Sequence, residues 1–241
     1  AINCNLRSGG GKVMSGIAEV AQKYGFEYHT YSPEDRKDKP ENHTFIISRA
    51  INYINLKLSK LIGYDNAIIN YGTIKLIKQL KTKKPDIIHL HGLHGWYVDY
   101  KLLFKTIDKL DIPVIWTQHD CWAFTGGCTH FTYVNCNKWK SHCYNCPQLD
   151  RYPESLLFDN SKWMFSYKRK IFTNLKECRI ITVSKWLENT VNESYLATYP
   201  VQTIENGVDT CTFKYTDSNL RDKYNLNKKI VILGVAASWN D

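Results

Sequence analysis

The chain has 241 residues, enough for one large domain with a buried core at roughly 150 residues per domain. Hydrophobic residues make up 43% and charged residues 23%, with only 13 Gly and 7 Pro, so the composition excludes disordered, collagen-like and low-complexity proteins. The net charge of +9 fits a polyanionic partner, which can be nucleic acid, an acidic membrane face or a phosphorylated small molecule.

Neither a membrane-spanning helix nor a secretion signal is visible in the sequence. No run approaches the ~20 apolar residues that a spanning helix needs, and no charged-then-apolar segment opens the chain. We therefore expect a cytoplasmic protein. The chain starts without Met and almost inside an apolar run, so we also expect both of its ends to be cut.

Short runs rich in Ile and Val alternate with longer segments of helical spacing, which predicts a parallel sheet with crossover helices and an α/β class. The predicted strands are 27–31, 44–47, 86–90, 113–118, 179–183 and 201–204. Three apolar stripes at helical spacing are predicted to pack in the core. They are Val13, Ile17, Val20, Ala21 and Tyr24; Ile51, Ile54, Leu58 and Leu61; and Leu103, Ile107 and Leu110.

Residues 120–153, the cysteine-rich loop, have neither a helical nor a strand period. An irregular segment of this length inside a domain is usually functional or held by a cross-link. Residues 213–229 are polar and predict a linker, after which 230–241 predict the first strand of a further domain. The expected organisation is therefore a domain over 1–212, a linker and a truncated second domain.

A glycine-rich turn follows the opening apolar run and precedes a predicted helix. It contains Gly9, Gly10, Gly11 and Lys12. Glycines at such a turn let the backbone approach an anion, and the free N–H groups of a helix N-terminus favour phosphate. The turn therefore predicts a diphosphate site, although a merely tight turn explains the same residues.

Two histidine-containing segments follow predicted strands, where open α/β sheets place their ligands. His119 and Asp120 end one strand, so the histidine can donate to a sugar hydroxyl or to developing charge while the carboxylate orients it. His89 and His91 alternate onto one face of the preceding strand, where they can bind a metal or a polar group. Structural histidines bonded to nearby backbone are the alternative for both segments.

Five of the eight cysteines lie in the cysteine-rich loop. Two of them have the C-x2-C spacing with which thiolates grip one ion, and two more can complete a tetrahedral zinc site. The predicted ligands are Cys128, Cys136, Cys143 and Cys146. Two disulfides, which a reducing cytoplasm disfavours, and free thiols packed among aromatic side chains remain alternatives.

Two stretches predict a basic surface. Residues 57–84 contain seven Lys against the single acid Asp65, and residues 162–170 add Lys168, Arg169 and Lys170 beside aromatic side chains. Basic, amphipathic stretches with aromatic residues can lie on an anionic bilayer. For either stretch taken alone, an ordinary solvated helix face with lysines extended along it is the favoured alternative.

Three late segments carry a family resemblance. Residues 181–187 (ITVSKWL), residues 204–209 (IENGVD) followed by Phe213, and residues 232–236 (ILGVA) resemble, in order and spacing, the N-terminal domain of GT-B glycosyltransferases of the family 4 type. The cysteine-rich loop with residues 122–126 (WAFTG) is similar to the subgroup that builds bacterial surface polysaccharides, including colanic-acid-type transferases.

The resemblance implies two Rossmann-like domains facing across a cleft, of which this chain is the first, acceptor-side domain with helices on both faces of its sheet. The catalytic residues it implies are His119 and Asp120. The residues implied for donor phosphate and sugar are Gly9, Gly10, Gly11, Lys12, Asn206 and Gly207. Those implied for the acceptor are His89, His91 and Trp122.

The expected activity is retaining transfer of a hexosyl group from a nucleotide sugar to a glycan or polyprenyl-diphosphate-linked acceptor in bacterial polysaccharide biosynthesis. The resemblance implies no catalytic cofactor, a purely structural role for any zinc, peripheral contact with the inner membrane face and no nucleic-acid partner. Because the family carries its nucleotide pocket in the second domain, we expect these residues alone to be inactive. A zinc-stapled nucleic-acid-binding module and a nucleotide-sugar epimerase are the alternatives.

Overall fold

The computed structural model describes residues 1–7, 9–34, 37 and 39–235. The chain divides into a large unit, Ala1–Asn206, and a short one, Gly207–Asp241, so the division lies slightly before the predicted boundary at residue 212.

The large unit is built on parallel strands. Those described are β1 (Thr30–Ser32), β2 (His43–Phe45), β3 (Ile88–Leu90), β4 (Val114–Gln118), β5 (Cys178–Thr182) and β6 (Val201–Thr203). Every pairing between them is parallel. Each overlaps one of the six predicted strands, so the α/β class is confirmed.

The order of the strands reverses direction once. β1 pairs with β2, and β3, β4, β5 and β6 follow one another across the sheet. Ile2 joins the two sets through parallel bridges to Tyr31 and Leu90. Its N–H donates to the His89 carbonyl at 2.9 Å, and the His91 N–H donates to the Ile2 carbonyl at 2.9 Å. The chain adds strands on one side of Ile2 and then on the other, which is the type of reversal where α/β sheets bind ligands.

Helices connect the strands. They are α1 (Gly9–Lys23), α2 (Arg49–Ile62), α3 (Tyr71–Lys83), α4 (Tyr100–Leu110), α5 (Ser161–Phe172), α6 (Lys185–Asn192) and α7 (Leu220–Lys223). α4 buries Leu103 and Ile107 as predicted, and its N-cap Asp99 accepts a hydrogen bond from the Leu102 N–H. In the described residues no helix is both long enough and apolar enough to cross a membrane.

The apolar stripe predicted for α1 is largely wrong. The buried residues of the helix are Gly11, Met14 and Ala18, whereas Val20 is half-exposed and Tyr24, just past the helix end, is 79% exposed. A Cβ on Gly11 would lie 2.6 Å from the Asn5 carbonyl oxygen, so the helix packs against the preceding loop by its smallest residues. Close backbone approach therefore decides which face of α1 is buried.

The stripe predicted for α2 is mostly wrong, because this helix is anchored by its polar side and only Ile51 of the stripe packs against the core. Asn55 and Ser59 are buried, whereas Ile54 is 45% exposed. The Asn55 amide donates to the Trp96 carbonyl at 3.0 Å, and its oxygen accepts from the backbone N–H groups of Ile68 and Ile69. Buried loop backbone needs such partners, and these hydrogen bonds orient the helix with its apolar stripe towards solvent.

Asn55→Ala is expected to lower the free energy of unfolding by at least about 2 kcal/mol, because two backbone N–H groups and a carbonyl lose their buried partner. Its neighbour Ile54 is the matched control, and Ile54→Ala is expected to change stability by less than about 1 kcal/mol. Urea denaturation of both variants measures the difference. A larger decrease in the free energy of unfolding for Ile54→Ala than for Asn55→Ala would instead support the predicted packing of the apolar stripe in the core.

The cysteine-rich loop, all of whose residues the structure describes, contains three 3₁₀ turns and otherwise no helix or strand. Its turns are Trp122–Phe124, Thr132–Val134 and Lys138–Lys140. The loop is nevertheless well packed: Phe124, Phe131 and Trp139 are buried, and the rings of Phe131 and Trp139 stack with centroids 4.6 Å apart. Aromatic packing therefore replaces regular hydrogen bonding in this segment.

The short unit begins at Gly207. Asp209 organises its first turn, accepting hydrogen bonds from the Cys211 N–H at 2.9 Å and the Thr212 hydroxyl at 2.6 Å. α7 lies inside the predicted linker. Residues 230–235 form no strand, since the described part of this unit offers no neighbouring strand to pair with, and residues 236–241 lie outside the described residues. A donor-binding domain starting at residue 230 stays a prediction.

Candidate active site

A cavity of about 310 Å³ opens where the strand order reverses. Residues that follow Ile2, β3, β4, β5 and β6 all contribute to its lining, together with the first turn of α1. The polar and glycine residues among them are Asn3, Asn5, Gly9, Gly10, His91, Gly92, His94, Gln118, His119, Asp120, His130 and Asn206. The carboxyl ends of parallel strands meet at one edge, which explains why such distant segments converge.

Three histidines form a chain beside this cavity. His91 and His119 share a hydrogen bond between Nδ1 and Nε2 at 3.0 Å, and the rings of His89 and His91 lie 4.1 Å apart on one side, as predicted. His89, however, does not line the cavity, because its two nitrogens contact the Tyr28 hydroxyl at 3.1 Å and the Thr117 hydroxyl at 2.8 Å. Both nitrogens of His89 are thus used within the protein, and its acceptor-binding role stays a prediction that the cavity lining does not support.

The hydrogen-bond pattern assigns the proton positions of His91 and His119. His91 Nε2 is buried and has no partner among the described residues. A buried bare nitrogen costs less than a buried orphaned N–H, so Nδ1 of His91 carries its proton and donates to Nε2 of His119. In neutral His119 the proton then lies on Nδ1, which leaves one N–H for a ligand.

Burial keeps these histidines neutral. It is the main cause that lowers the pKa of His119 below its ordinary value, with the Asp120 carboxylate opposing the shift. Burial and the charges of His89 and His119 lower the pKa of His91 still further. The histidine chain therefore offers hydrogen bonds rather than positive charge at neutral pH.

Asp120 is held between two neighbouring segments. Its Oδ2 lies 3.2 Å from His94 Nε2, and its Oδ1 accepts from the Trp122 N–H at 2.9 Å. Burial opposes its ionisation, but the hydrogen bond and charge of His94 and the Trp122 N–H lower the pKa of Asp120 below its usual value. His94 in turn contacts the Tyr152 hydroxyl at 2.8 Å. The carboxylate thus stays charged and ties the start of the cysteine-rich loop to the segment that follows β3.

The three glycines of the turn have different surroundings. A Cβ on Gly9 would meet no described atom within 4 Å, whereas one on Gly10 would lie 2.9 Å from His119 Cδ2. Gly11 packs against the loop before it and is closed to ligands. Gly9 and Gly10 therefore line the cavity, while Gly11 lets the helix pack, and Lys12 is exposed outside the lining.

Gly10→Ala is expected to displace the His119 ring and to lower the free energy of unfolding by about 1–3 kcal/mol, because the added methyl overpacks the contact. Gly9→Ala is the matched control, since the same methyl has open space there and removes freedom from the unfolded chain. Imidazole NMR signals and chemical denaturation measure both effects. Equal behaviour of the two variants would contradict the close contact of Gly10 with His119.

Residues 7–211 match the sequence profile of Glycosyltransferase Family 4. The chain belongs to this family. The fold agrees with that membership, because the family resemblance implied a Rossmann-like parallel sheet with helices around it.

One relative comes from the same kind of pathway that the sequence predicted. The chain is 30% identical over 139 residues to the putative colanic acid biosynthesis glycosyl transferase WcaC of Escherichia coli (strain K12). The match covers 55% of this chain and 33% of that protein. The chain thus spans about a third of the relative's length, and the relative's whole activity does not transfer with the match.

The remaining predicted site residues are Trp122, Asn206 and Gly207. Trp122, which was expected to contact the acceptor, lines the cavity but is only 2% exposed. Its indole N–H donates to the buried Asp65, and Lys168 lies over its ring with Nζ 4.1 Å from the centroid. Asn206 lines the cavity, whereas Gly207 belongs to the short unit.

Sequence reasoning missed His94, Gln118 and His130, all of which line the cleft. Gln118 is the most informative, because its buried Nε2 has no hydrogen-bond partner among the described residues. In the sequence, Gln118 could have been identified as a cleft residue because it is adjacent to His119. His94 could have been identified because it lies in the histidine-rich segment after β3. Strand alternation could not select His94, because β3 ends at Leu90.

Proposed function

We propose that this chain is the acceptor-side half of a retaining glycosyltransferase. The whole enzyme would move a hexosyl group from a nucleotide sugar to a glycan or polyprenyl-diphosphate-linked acceptor during polysaccharide synthesis. The single observation that carries the proposal is the convergence of His91, His119 and Asp120 on the cavity at the strand reversal of a family 4 chain.

His119 is the proposed catalytic contact. In retaining transfer, positive charge develops on the sugar and negative charge on the departing diphosphate, so positioning and electrostatic stabilisation count for more than a strong base. The Nδ1 proton of His119 donates to a hydroxyl of the transferred sugar near its reacting carbon. His91 acts through His119 as a positioning residue, since it fixes the tautomer.

Asp120 and Gln118 complete the proposed polar wall. The charged carboxylate of Asp120 lies at the same edge as His119 and favours the positive charge that develops on the sugar. Gln118 Nε2 supplies a donor without a protein acceptor, which suits a sugar hydroxyl. The open backbone at Gly9 leaves room for the donor diphosphate next to the first turn of α1.

Transfer assays with the whole enzyme of which this chain forms one half test the proposal. Labelled UDP- and GDP-hexoses are offered with a polyprenyl-diphosphate oligosaccharide, and the anomeric configuration of the product is determined by NMR. We expect acceptor-dependent transfer with retention, and none from the 241 residues alone. A free epimer formed without acceptor would establish an epimerase instead, and salt-dependent binding of random RNA without any transfer would establish a nucleic-acid module.

The exposed side of α2 suits an anionic membrane, where a lipid-linked acceptor lies. Leu58 and Leu61 are exposed beside Lys57, and the neighbouring segment 156–158 adds two leucines and a phenylalanine. The Leu156 N–H donates to the Lys60 carbonyl at 2.8 Å, which holds the two apolar stretches together. Lys57 adds positive charge to this surface, whereas the charge of Lys60 is paired with Glu154, whose Oε2 lies 2.8 Å from Lys60 Nζ. We therefore propose that this surface rests on anionic lipid.

Flotation with vesicles tests this contact. The chain is expected to bind phosphatidylglycerol-containing vesicles at low salt, to bind neutral phosphatidylcholine vesicles weakly, and to lose binding at high salt because the lysine charges are screened. Leu58→Glu should reduce binding without changing the fold, since the residue is already exposed. Equal binding to both vesicle types, or to neither, would contradict a membrane role for this surface.

A further inference from the structure

The cysteine-rich loop gathers four thiols around one small cavity. Its lining includes all four of Cys128, Cys136, Cys143 and Cys146. The cavity has a volume of about 20 Å³, which is room for a single water-sized occupant. None of the eight cysteines, all of which the structure describes, takes part in a disulfide. Four thiols from a segment of irregular structure thus surround one atom-sized space.

Polar groups near the thiols stabilise sulfur in its charged form. The Gly126 N–H donates to Cys143 Sγ at 3.2 Å, the Gln148 N–H hydrogen-bonds the Cys146 thiol, and the Thr125 hydroxyl fixes the backbone at Cys128 by donating to its carbonyl at 2.7 Å. Such contacts to sulfur orient thiolate ligands and tune a metal site. The Cys143-x2-Cys146 turn has Asn145 in the left-handed region (φ 44°), and Lys138 Nζ clamps it by donating to the Tyr144 and Asn145 carbonyls.

Two lysines lie close to the cluster. Lys138 Nζ holds the Cys143-x2-Cys146 turn, and Lys168 Nζ donates to the Trp122 carbonyl at 2.7 Å. Their positive charges would offset part of the excess negative charge of four thiolates around a divalent ion.

We propose that Cys128, Cys136, Cys143 and Cys146 bind one zinc ion that holds the cysteine-rich loop in shape. Tetrahedral sets of four thiolates favour zinc among common divalent ions. In the described residues no three His, Cys, Asp or Glu side chains already stand at ligand spacing, so the proposal requires the sulfurs to move inward when the ion binds. With a Zn–S distance of about 2.3 Å the four sulfurs come to lie about 3.8 Å apart. The site is structural and is independent of the proposed transfer reaction.

Metal analysis of the chain purified without chelator tests this site. We expect about one zinc per chain, four thiols protected from alkylation and a lower Tm after chelation, with alkylation sites read by mass spectrometry. Replacing zinc with Co²⁺ is expected to give the absorption of tetrahedral thiolate-bound cobalt. Cys136→Ser should lose most of the bound zinc, whereas Cys211→Ser, which changes an exposed thiol outside the cluster, should keep it.

Three results would overturn the proposal. A metal-free chain whose four cluster thiols alkylate as fast as Cys211 would establish free thiols. An intact mass lower than that of the reduced chain by two hydrogens for each of one or two disulfides would establish cross-links. One iron per chain in place of zinc would establish a different metal. Alkylation and metal content are measured on the chain without substitutions. The test therefore decides the proposal even if Cys136→Ser does not fold.

Discussion

Replacing Lys168 with methionine is expected to lower the free energy of unfolding by about 3–5 kcal/mol, the range for breaking a buried charge interaction from one side. The sequence placed this lysine on a basic surface, but the structure buries it completely. Its Nζ donates to the Trp122 carbonyl at 2.7 Å and lies over the Trp122 ring. The variant leaves that carbonyl without its donor.

Asp65 makes the loss larger. Burial raises the pKa of this carboxyl, and the charge of Lys168 is the main opposing influence. One of its oxygens accepts from the Trp122 indole N–H, and the other has no partner among the described residues. Without Lys168 the carboxylate is buried without its counter-charge. The double variant Asp65→Asn, Lys168→Met removes both charges, and it should recover part of the stability because the coupling between them disappears.

The pH dependence of stability gives a second measurement on the same variant. Burial lowers the pKa of Lys168 from 10.5 to about 8. Between these values the unfolded chain binds more protons at this group, so the free energy of unfolding rises with pH from about 8 upward. Lys168→Met should lack this contribution in denaturation series between about pH 7.5 and 9.5. If the free energy of unfolding depended on pH in the same way in the unmodified chain and in Lys168→Met, Lys168 would be exposed to solvent and not buried.

His119→Ala is expected to reduce sugar transfer by the whole enzyme by about 10²–10³-fold, the range for removing one well-placed hydrogen-bond donor from a transition state. The imidazole lines the cavity, and the proton assigned to its Nδ1 remains for a ligand because Nε2 is taken by His91. Burial lowers the pKa of His119, so the ring stays neutral when the pH falls from 8 to the ordinary pKa of histidine. Protonation of His119 should therefore not reduce transfer in this pH range.

Lys12→Ala serves as the control for His119→Ala. Lys12 follows the same glycine turn but is exposed and outside the cavity lining, so its removal should change transfer only a few-fold. The loss for His119→Ala should appear mainly in kcat, with little change in unfolding free energy. A loss that follows stability, or one equal to that of Lys12→Ala, would contradict the catalytic role.

The strands could be predicted from the sequence because buried parallel strands leave continuous apolar runs. The helix faces of α1 and α2 could not, since their orientation depends on distant backbone. Gly11 packs where no side chain fits, and Asn55 serves loop N–H groups that are far along the chain. Periodicity counts apolar residues and does not register such long-range hydrogen bonds.

In the candidate site, too, some residues could be predicted from the sequence and others could not. His119 and Asp120 were predictable because they end a strand, and strand ends share one edge of the sheet. The partner of Asp120 was not, because His94 reaches it from an irregular loop. Lys168 was misplaced for a related reason: in a helix whose other lysines are exposed, only tertiary packing selects the one that turns inward towards Trp122.

NMR of the labelled 241-residue chain during titration with UDP- and GDP-hexoses and an acceptor oligosaccharide tests the central claim most directly. The ring signals of His91 and His119 and the amides of Gly9 and Gly10 report on the cleft. The account predicts that ligand-dependent shifts concentrate at these residues and weaken in His119→Ala. Shifts confined to other surfaces, with the cleft signals unchanged at millimolar ligand, would contradict it.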